Sequence, residues 1–210
     1  MNPFVPRPHD LLKVALRRET LQFEQDEAIA FDLLLATPFV VVRRACPRRD
    51  WIPVGLRGSS RSERYGGWLH RDSVLGVYDP SSLKAVQTRR ALPSFEALRL
   101  LQRRWTGMEL EWGPVGSVGF ELATGVEAVS PESDLDLLIQ APQPFSRAFA
   151  RELIECGATL PATLDVQVTT NAGSFALAEY AYQQGAVALR QLGGSVLVSD
   201  LWCDSAASVA

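Results

Sequence analysis

This sequence predicts a mixed α/β chain of the α+β kind, and three observations carry that prediction. From residue 109 onward, short apolar runs of strand length alternate with longer segments of helical composition. The first 80 residues show β-branched runs around one helix-like segment. The composition, 47% hydrophobic and 21% charged over 210 residues, leaves ample material for a sizeable core.

In order along the chain, residues 24–36, E-Q-D-E-A-I-A-F-D-L-L-L-A, hold no breaker and suit a helix stopped at Thr37-Pro38. F-V-V-V-R-R-A (39–45) reads as a buried strand closed by Cys46-Pro47, and W-I-P-V-G-L-R (51–57) as a second. The next stretch, G-S-S-R-S-E-R-Y-G-G-W (58–68), has the Gly, Ser and Arg content of a loop. Residues 68–79 fit neither period. Residues 80–93, with Pro80 at one end and Pro93 at the other, read as a linker, and Ser94 is the expected cap of a helix through Trp105. Glu109–Val115 then reads as a strand, and Gly116-Ser117 as a tight turn into a helix reaching about Thr124. Leu135–Gln140 and Leu164–Thr169 are strands separated by a helix over Ser146–Cys156, which Gly157 ends. A helix over Gly173–Gln184 and two short apolar segments, A-V-A-L-R and S-V-L-V-S, complete the pattern. The expected organisation is a smaller α/β domain over 1–85 and a second domain over 90–210.

Charge is unevenly spread. Residues 1–104 hold 18 Lys+Arg against 11 Asp+Glu, and residues 105–210 hold 3 against 13, which suggests two regions with different jobs. The sequence pI of about 5.5 argues against general nucleic-acid binding. No apolar run is long enough to cross a bilayer, and M-N-P-F-V-P-R-P-H-D lacks the apolar core of a signal peptide. Cys46, Cys156 and Cys203 have no C-x-x-C spacing, so they are expected as core thiols in a reducing compartment rather than as a disulfide or zinc framework. A soluble, cytoplasmic protein is the expectation.

The segment S-P-E-S-D-L-D-L-L-I-Q (130–140) raises the chemical question. In a strand, Asp134 and Asp136 share one face while Leu135, Leu137 and Ile139 fill the other. Two carboxylates roughly 6.6 Å apart along a strand repel by roughly 2–3 kcal/mol at an effective dielectric near 20. Solvation tolerates that repulsion, and a divalent cation exploits it. By itself D-x-D reads more readily as the polar outer face of a half-exposed edge strand, since short motifs match often by chance. Two further features favour the cation: Gly116-Ser117 at a strand-to-helix turn, where free N–H groups attract phosphate, and Asp165 in T-L-D-V-Q-V-T on a later strand. If that later strand lies beside the first, three carboxylates can hold two metal ions for in-line phosphoryl displacement.

Gly-Ser, then Asp-x-Asp, then a lone strand Asp resembles the nucleotidyltransferase superfamily, the fold of polymerase β. Sixteen residues lie between Ser117 and Asp134, more than in most minimal members. The longer strings narrow the resemblance. G-S-V-G-F-E-L-A-T-G with S-D-L-D-L-L-I, together with R-P-H-D-L-L, V-G-L-R-G-S-S-R-S-E-R-Y and A-E-Y-A, is similar to the malonate decarboxylase holo-acyl-carrier-protein synthases, or phosphoribosyl-dephospho-CoA transferases. This resemblance implies a nucleotidyltransferase-fold C-terminal domain and a donor, 2′-(5″-triphosphoribosyl)-3′-dephospho-CoA. The acceptor it implies is a serine of the acyl-carrier subunit of malonate decarboxylase, with pyrophosphate leaving. It further implies that Asp134, Asp136 and Asp165 bind two Mg²⁺ ions and that Gly116 and Ser117 hold the triphosphate. Arg57 and Arg61, with Arg64, surround a Gly-Ser loop where guanidinium forks match phosphate, or where they are simply solvated. His9 and Asp10 read as a helix N-terminus, and Arg190 is a lesser phosphate candidate. A basic surface would also steer an acidic carrier protein. The alternative activity is nucleotidyl transfer from ATP to a small-molecule or protein hydroxyl. A binding module without catalysis fits less well, because all three carboxylates are intact.

Overall fold

The computed structural model describes residues 5–46, 48–58 and 63–203, and the chain divides into two compact units, Met1–Asp79 and Pro80–Ala210. Both combine helices with a six-stranded sheet, as an α+β chain should.

In the first unit the strands are β1 (Leu11–Val14), β2 (Leu21–Phe23), β3 (Phe39–Val42), β4 (Trp51–Arg57), β5 (Arg64–His70) and β6 (Val74–Tyr78). They lie in the order β2-β5-β4-β3-β1-β6, every neighbour antiparallel. Alternation along β4 sends Ile52, Val54 and Leu56 into one cluster with Leu12, Val40 and Leu69. Ala30 and Leu34 of α1 (Glu27–Ala36) close that cluster.

Two local readings change here. β5 begins inside the stretch that reads as a loop and runs through Gly66-Gly67. A Cβ at Gly67 would lie 2.4 Å from the Gln22 carbonyl oxygen, so the glycine that resembles turn punctuation is what lets β5 approach β2. His9-Asp10 opens β1, not a helix: Asp10 is buried and its carboxylate accepts the Arg7 N–H at 2.8 Å.

The second unit contains β7 (Glu111–Pro114), β8 (Leu135–Gln140), β9 (Leu164–Thr169), β10 (Ser174–Ala176), β11 (Val187–Gln191) and β12 (Gly194–Val198), in the order β12-β11-β10-β9-β8-β7. Among the described strands of this sheet, only β8 and β9 run parallel. A parallel neighbour requires a crossover, and α5 (Arg147–Glu155) provides it. Its start is capped by Ser146, whose Oγ accepts the Phe149 N–H at 3.1 Å. The other helices are α2 (Pro80–Leu83), α3 (Pro93–Arg104), α4 (Gly116–Thr124) and α6 (Leu177–Tyr182).

Here too the sequence reading shifts. Residues 80–83 are helical rather than linker. Pro93 occupies the first position of α3, preceded by Leu92 as N-cap, and Ser94 is buried inside the first turn. Residues 174–176 form β10 before the chain turns helical, because β9 takes them as its antiparallel partner. Cys46 and Cys203 are exposed, so the thiols are not core packing; all three are free. No helix among the described residues is long and apolar enough to cross a membrane.

The charge asymmetry also acquires a location. Residues 1–79 contain 12 Lys+Arg and 10 Asp+Glu, so most of the basic excess lies at 84–104, within the second unit. Several of those side chains have structural work. Arg104 donates to the Cys156 carbonyl and to Thr159 Oγ1, beyond the end of α5. Lys84 Nζ stands 5.2 Å from the Trp112 ring centroid.

Arg90 has the most connected role. Its Nη1 donates to both carboxylate oxygens of Glu121, each at 2.8 Å, and Glu121 Oε2 also accepts the N–H groups of Ala128 (2.8 Å) and Val129 (2.9 Å). Glu121 is only 6% exposed on α4, so the carboxylate ties three segments together from a rigid support. Burial pushes its carboxyl pKa up. The Arg90 hydrogen bond, the two backbone donors and the Arg90 charge outweigh burial and hold it below its ordinary value of 4.5. Arg90 is raised in turn, chiefly by its hydrogen bond to Glu121.

A lowered folded-state pKa means that the unfolded chain binds the proton more readily. The Glu121 contribution to stability is therefore complete above pH 4.5 and disappears as pH falls through the lower folded-state value. Glu121→Gln is expected to cost about 1–2 kcal/mol at neutral pH, through buried donors left short of an acceptor. It should also flatten the loss of stability as pH is lowered from neutral to below 4.5. Urea midpoints measured across that range check both outcomes.

Candidate active site at the start of β8

Strand alternation determines which face each residue of β8 presents. Leu135, Leu137 and Ile139 are fully buried on one face. Asp134, the residue before the strand, and Asp136 within it belong to the other face and are half-buried. Leu138, in the middle of the carboxylate face, is buried, while Asp136 before it and Gln140 after it are half-buried. The parallel partner then adds a third carboxylate. Asp136 and Asp165 are direct register partners, with backbones about 4.8 Å apart as in any sheet. Asp165 is exposed.

On the other flank, β7 leads into α4 at the same place. The Val115 N–H donates to the Asp136 carbonyl at 2.9 Å, which holds the β7–α4 corner against β8. Gly116 follows with φ +59, in the left-handed region, and a Cβ there would lie 2.0 Å from Asp136 Oδ2. Glycine is therefore required twice over: for the backbone turn, and for the space that the Asp136 carboxylate occupies. Ser117 is 4% exposed, and its Oγ is buried without a hydrogen-bond partner. A buried hydroxyl without a partner, in the first turn of a nine-residue helix, is suited to an anion that also meets the free N–H groups of that turn.

The fold thus brings Gly116, Ser117, Asp134, Asp136 and Asp165 to one corner of the sheet. Among the described residues, no group of three His, Cys, Asp or Glu side chains is gathered closely enough to hold a metal ion. The other sequence candidates belong to other parts of the chain. Arg57 ends β4 directly opposite Arg64 at the start of β5, in the first unit, and Gly58 N–H closes that hairpin onto the Glu63 carbonyl at 3.0 Å. Arg61 lies outside the described residues. Arg190, on β11, is separated from β8 by β10 and β9. Glu121 and Arg90 are not among the sequence candidates. The available signal was a lone carboxylate in V-G-F-E-L-A, a helix otherwise built from apolar and small residues.

Comparison with known proteins covers both units. The family model described as the phosphoribosyl-dephospho-CoA transferase MdcG N-terminal domain matches residues 7–80, and that of the MdcG C-terminal domain matches residues 82–201. A phosphoribosyl-dephospho-CoA transferase of Pseudomonas putida (strain W619) is 40% identical over 197 residues, covering 94% of this chain and 95% of that protein. One from Azotobacter vinelandii is 36% identical over 208 residues, 97% of either chain, and one from Pseudomonas syringae pv. tomato is 38% identical over 205 residues. No solved structure matches. Covered by both domain models and by relatives of this identity, the chain is a transferase enzyme belonging to the phosphoribosyl-dephospho-CoA transferase family.

Proposed function

We propose that this enzyme moves the phosphoribosyl-dephospho-CoA group from 2′-(5″-triphosphoribosyl)-3′-dephospho-CoA to a serine of the malonate decarboxylase acyl-carrier subunit, in the cytoplasm. In this reading the second unit is a nucleotidyltransferase fold. The observation that carries it is the corner where Gly116 packs on the Asp136 carboxylate while Asp136 stands in register with Asp165. The names of the relatives supply the substrate class.

Magnesium fits the donor chemistry of this corner. Its side-chain anions are carboxylates, the hard oxygen donors that magnesium prefers, and two of them sit on adjacent strands. Magnesium commonly takes only a few protein carboxylates and completes its shell with water and substrate phosphates, which is consistent with a site not gathered in advance. Asp134, Asp136 and Asp165 would hold two such ions. When bound, they supply charge stabilisation to the attacking and leaving oxygens.

The chain's own residues then have distinct tasks. The first turn of α4, with Ser117 Oγ, binds the triphosphate oxygens and orients the leaving pyrophosphate. Asp165, exposed beside Asp136, takes the proton of the carrier serine. The serine oxygen forms a bond to the α-phosphorus as the bond from that phosphorus to pyrophosphate breaks, and the product is a phosphodiester. Catalysis rests on positioning and electrostatics, as is usual for phosphoryl transfer.

The direct test combines the protein, Mg²⁺, the triphosphoribosyl donor and apo carrier protein. The expected result is a mass gain on the carrier serine together with release of pyrophosphate; an unmodified carrier rejects the reading. Asp136→Asn should reduce transfer at least about 100-fold, the upper end of what the loss of a metal's outer-shell partner costs, with the unfolding transition retained. Gly116→Ala should also abolish transfer, because its Cβ displaces the Asp136 carboxylate. Steady-state rates with circular dichroism melts check both.

A further inference from the structure

Asp134 belongs to a connector rather than to a strand. Residues 125–134 link the end of α4 to β8, and nothing in their composition (G-V-E-A-V-S-P-E-S-D) imposes one conformation. Yet the connector is held at successive points. Gly125 ends α4 in the left-handed region, and the Val126 N–H donates to Thr124 Oγ1 at 3.1 Å. Ala128 and Val129 donate to Glu121, and Val129 is buried. Next, the Ser130 N–H donates to Ser133 Oγ (3.0 Å) and the Ser133 N–H to the Ser130 carbonyl (3.1 Å), forming a closed turn whose next residue is Asp134. Beyond it, the Leu135 N–H joins the Thr163 carbonyl at 2.8 Å and the β8–β9 ladder begins.

Glu121 is the link with the greatest leverage in this series. It lies five residues after Gly116 on the same helix, so the element that places the phosphate-binding turn also carries the carboxylate that grips the connector. Arg90 holds Glu121 in orientation by donating to both of its oxygens, and its Nη2 lies 3.7 Å from Glu127 Oε2 on the connector itself. The Arg90 N–H is in turn tied to Thr88 Oγ1 at 3.2 Å. A carboxylate that needed only solvation would be exposed; this one is buried with four hydrogen bonds.

We propose that Glu121, oriented by Arg90, is a positioning residue of the transferase: it sets the place of Asp134 relative to Gly116 and Ser117. This rests on the reading of that corner as the catalytic centre. Glu121 does not touch substrate. It makes the phosphate-binding turn and the Asp134 arm move as one body, so that a divalent ion meets both in a single geometry.

The test uses the full chain with Glu121→Gln, Glu121→Ala, Arg90→Lys and Arg90→Ala, each first shown to melt cooperatively. Amide hydrogen exchange over 125–134 should accelerate at least about tenfold in Glu121→Ala and less in Glu121→Gln, which keeps one acceptor oxygen. In transfer assays the Mg²⁺ concentration for half-maximal rate should rise about tenfold while the donor KM stays within about twofold. Arg90→Lys should recover part of both effects relative to Arg90→Ala. A smaller fraction of folded protein lowers the amplitude without moving the Mg²⁺ midpoint, so that midpoint separates positioning from plain stability. Folded Glu121 variants with wild-type exchange and an unchanged midpoint overturn the proposal, as does failure of every variant to fold. If the wild-type chain itself transfers nothing, the catalytic reading fails, and the exchange measurement still decides whether Glu121 holds the Asp134 arm.

Discussion

The contact between Gly116 and the Asp136 carboxylate is the constraint on which the rest of this corner depends. A helix start and a strand carboxylate occupy space that a single added methyl would fill, since the ideal Cβ lies 2.0 Å from Oδ2. That closeness is maintained from outside the contact. The Val115 N–H is bonded to the Asp136 carbonyl, β7 is paired with β8, and the apolar face of β8 is fully buried. Core packing thereby becomes site geometry: Leu135, Leu137 and Ile139 cannot slip without carrying Asp136 away from the α4 turn. A one-residue slip would reverse every side chain of the strand.

The three carboxylates are held by three different means. Asp136 is held by strand pairing and Asp165 by parallel register with it. Asp134 sits at the end of an irregular connector and depends on local hydrogen bonds, among which the Glu121 carboxylate is the most connected. This division follows from backbone physics. A strand in mid-sheet has its N–H and C=O groups satisfied by its neighbours, whereas a connector must find acceptors in side chains or water. Burying an anion to supply those acceptors is costly unless it is paired, and Arg90 is the pair. The lowered Glu121 pKa reports that pairing and hydrogen bonding exceed the cost of burial.

How much of this was legible in the sequence varies by element. β3, β4, β8 and β9 carry their own patterns of β-branched or alternating apolar residues, and the structure places them close to the expected spans. β5 and β10 carry no such pattern. Gly66-Gly67 and Ser174 are poor strand residues that become strand because a neighbouring strand needs a partner there and, at Gly67, because the Gln22 carbonyl leaves no room for a side chain. The basic excess of residues 1–104 suggests a region with a job of its own when counted, but Arg90 and Arg104 within it are turned to acceptors of their own unit. Charge counting has no access to direction.

The chemical inventory is written locally in the chain: a Gly-Ser turn before a helix, two carboxylates with strand spacing and a third on a later strand, in an order that resembles one transferase family. Those features are local, because alternation and turn chemistry act over a few residues. It takes the folded chain to show that β9 lies parallel beside β8 with Asp165 opposite Asp136, that Gly116 rests on a carboxylate 20 residues away, and that Glu121 holds the connector from inside α4. Each of these is a long-range pairing. Its partner is selected by competition for burial and hydrogen bonds across the whole unit, and no window of sequence contains both sides of that competition.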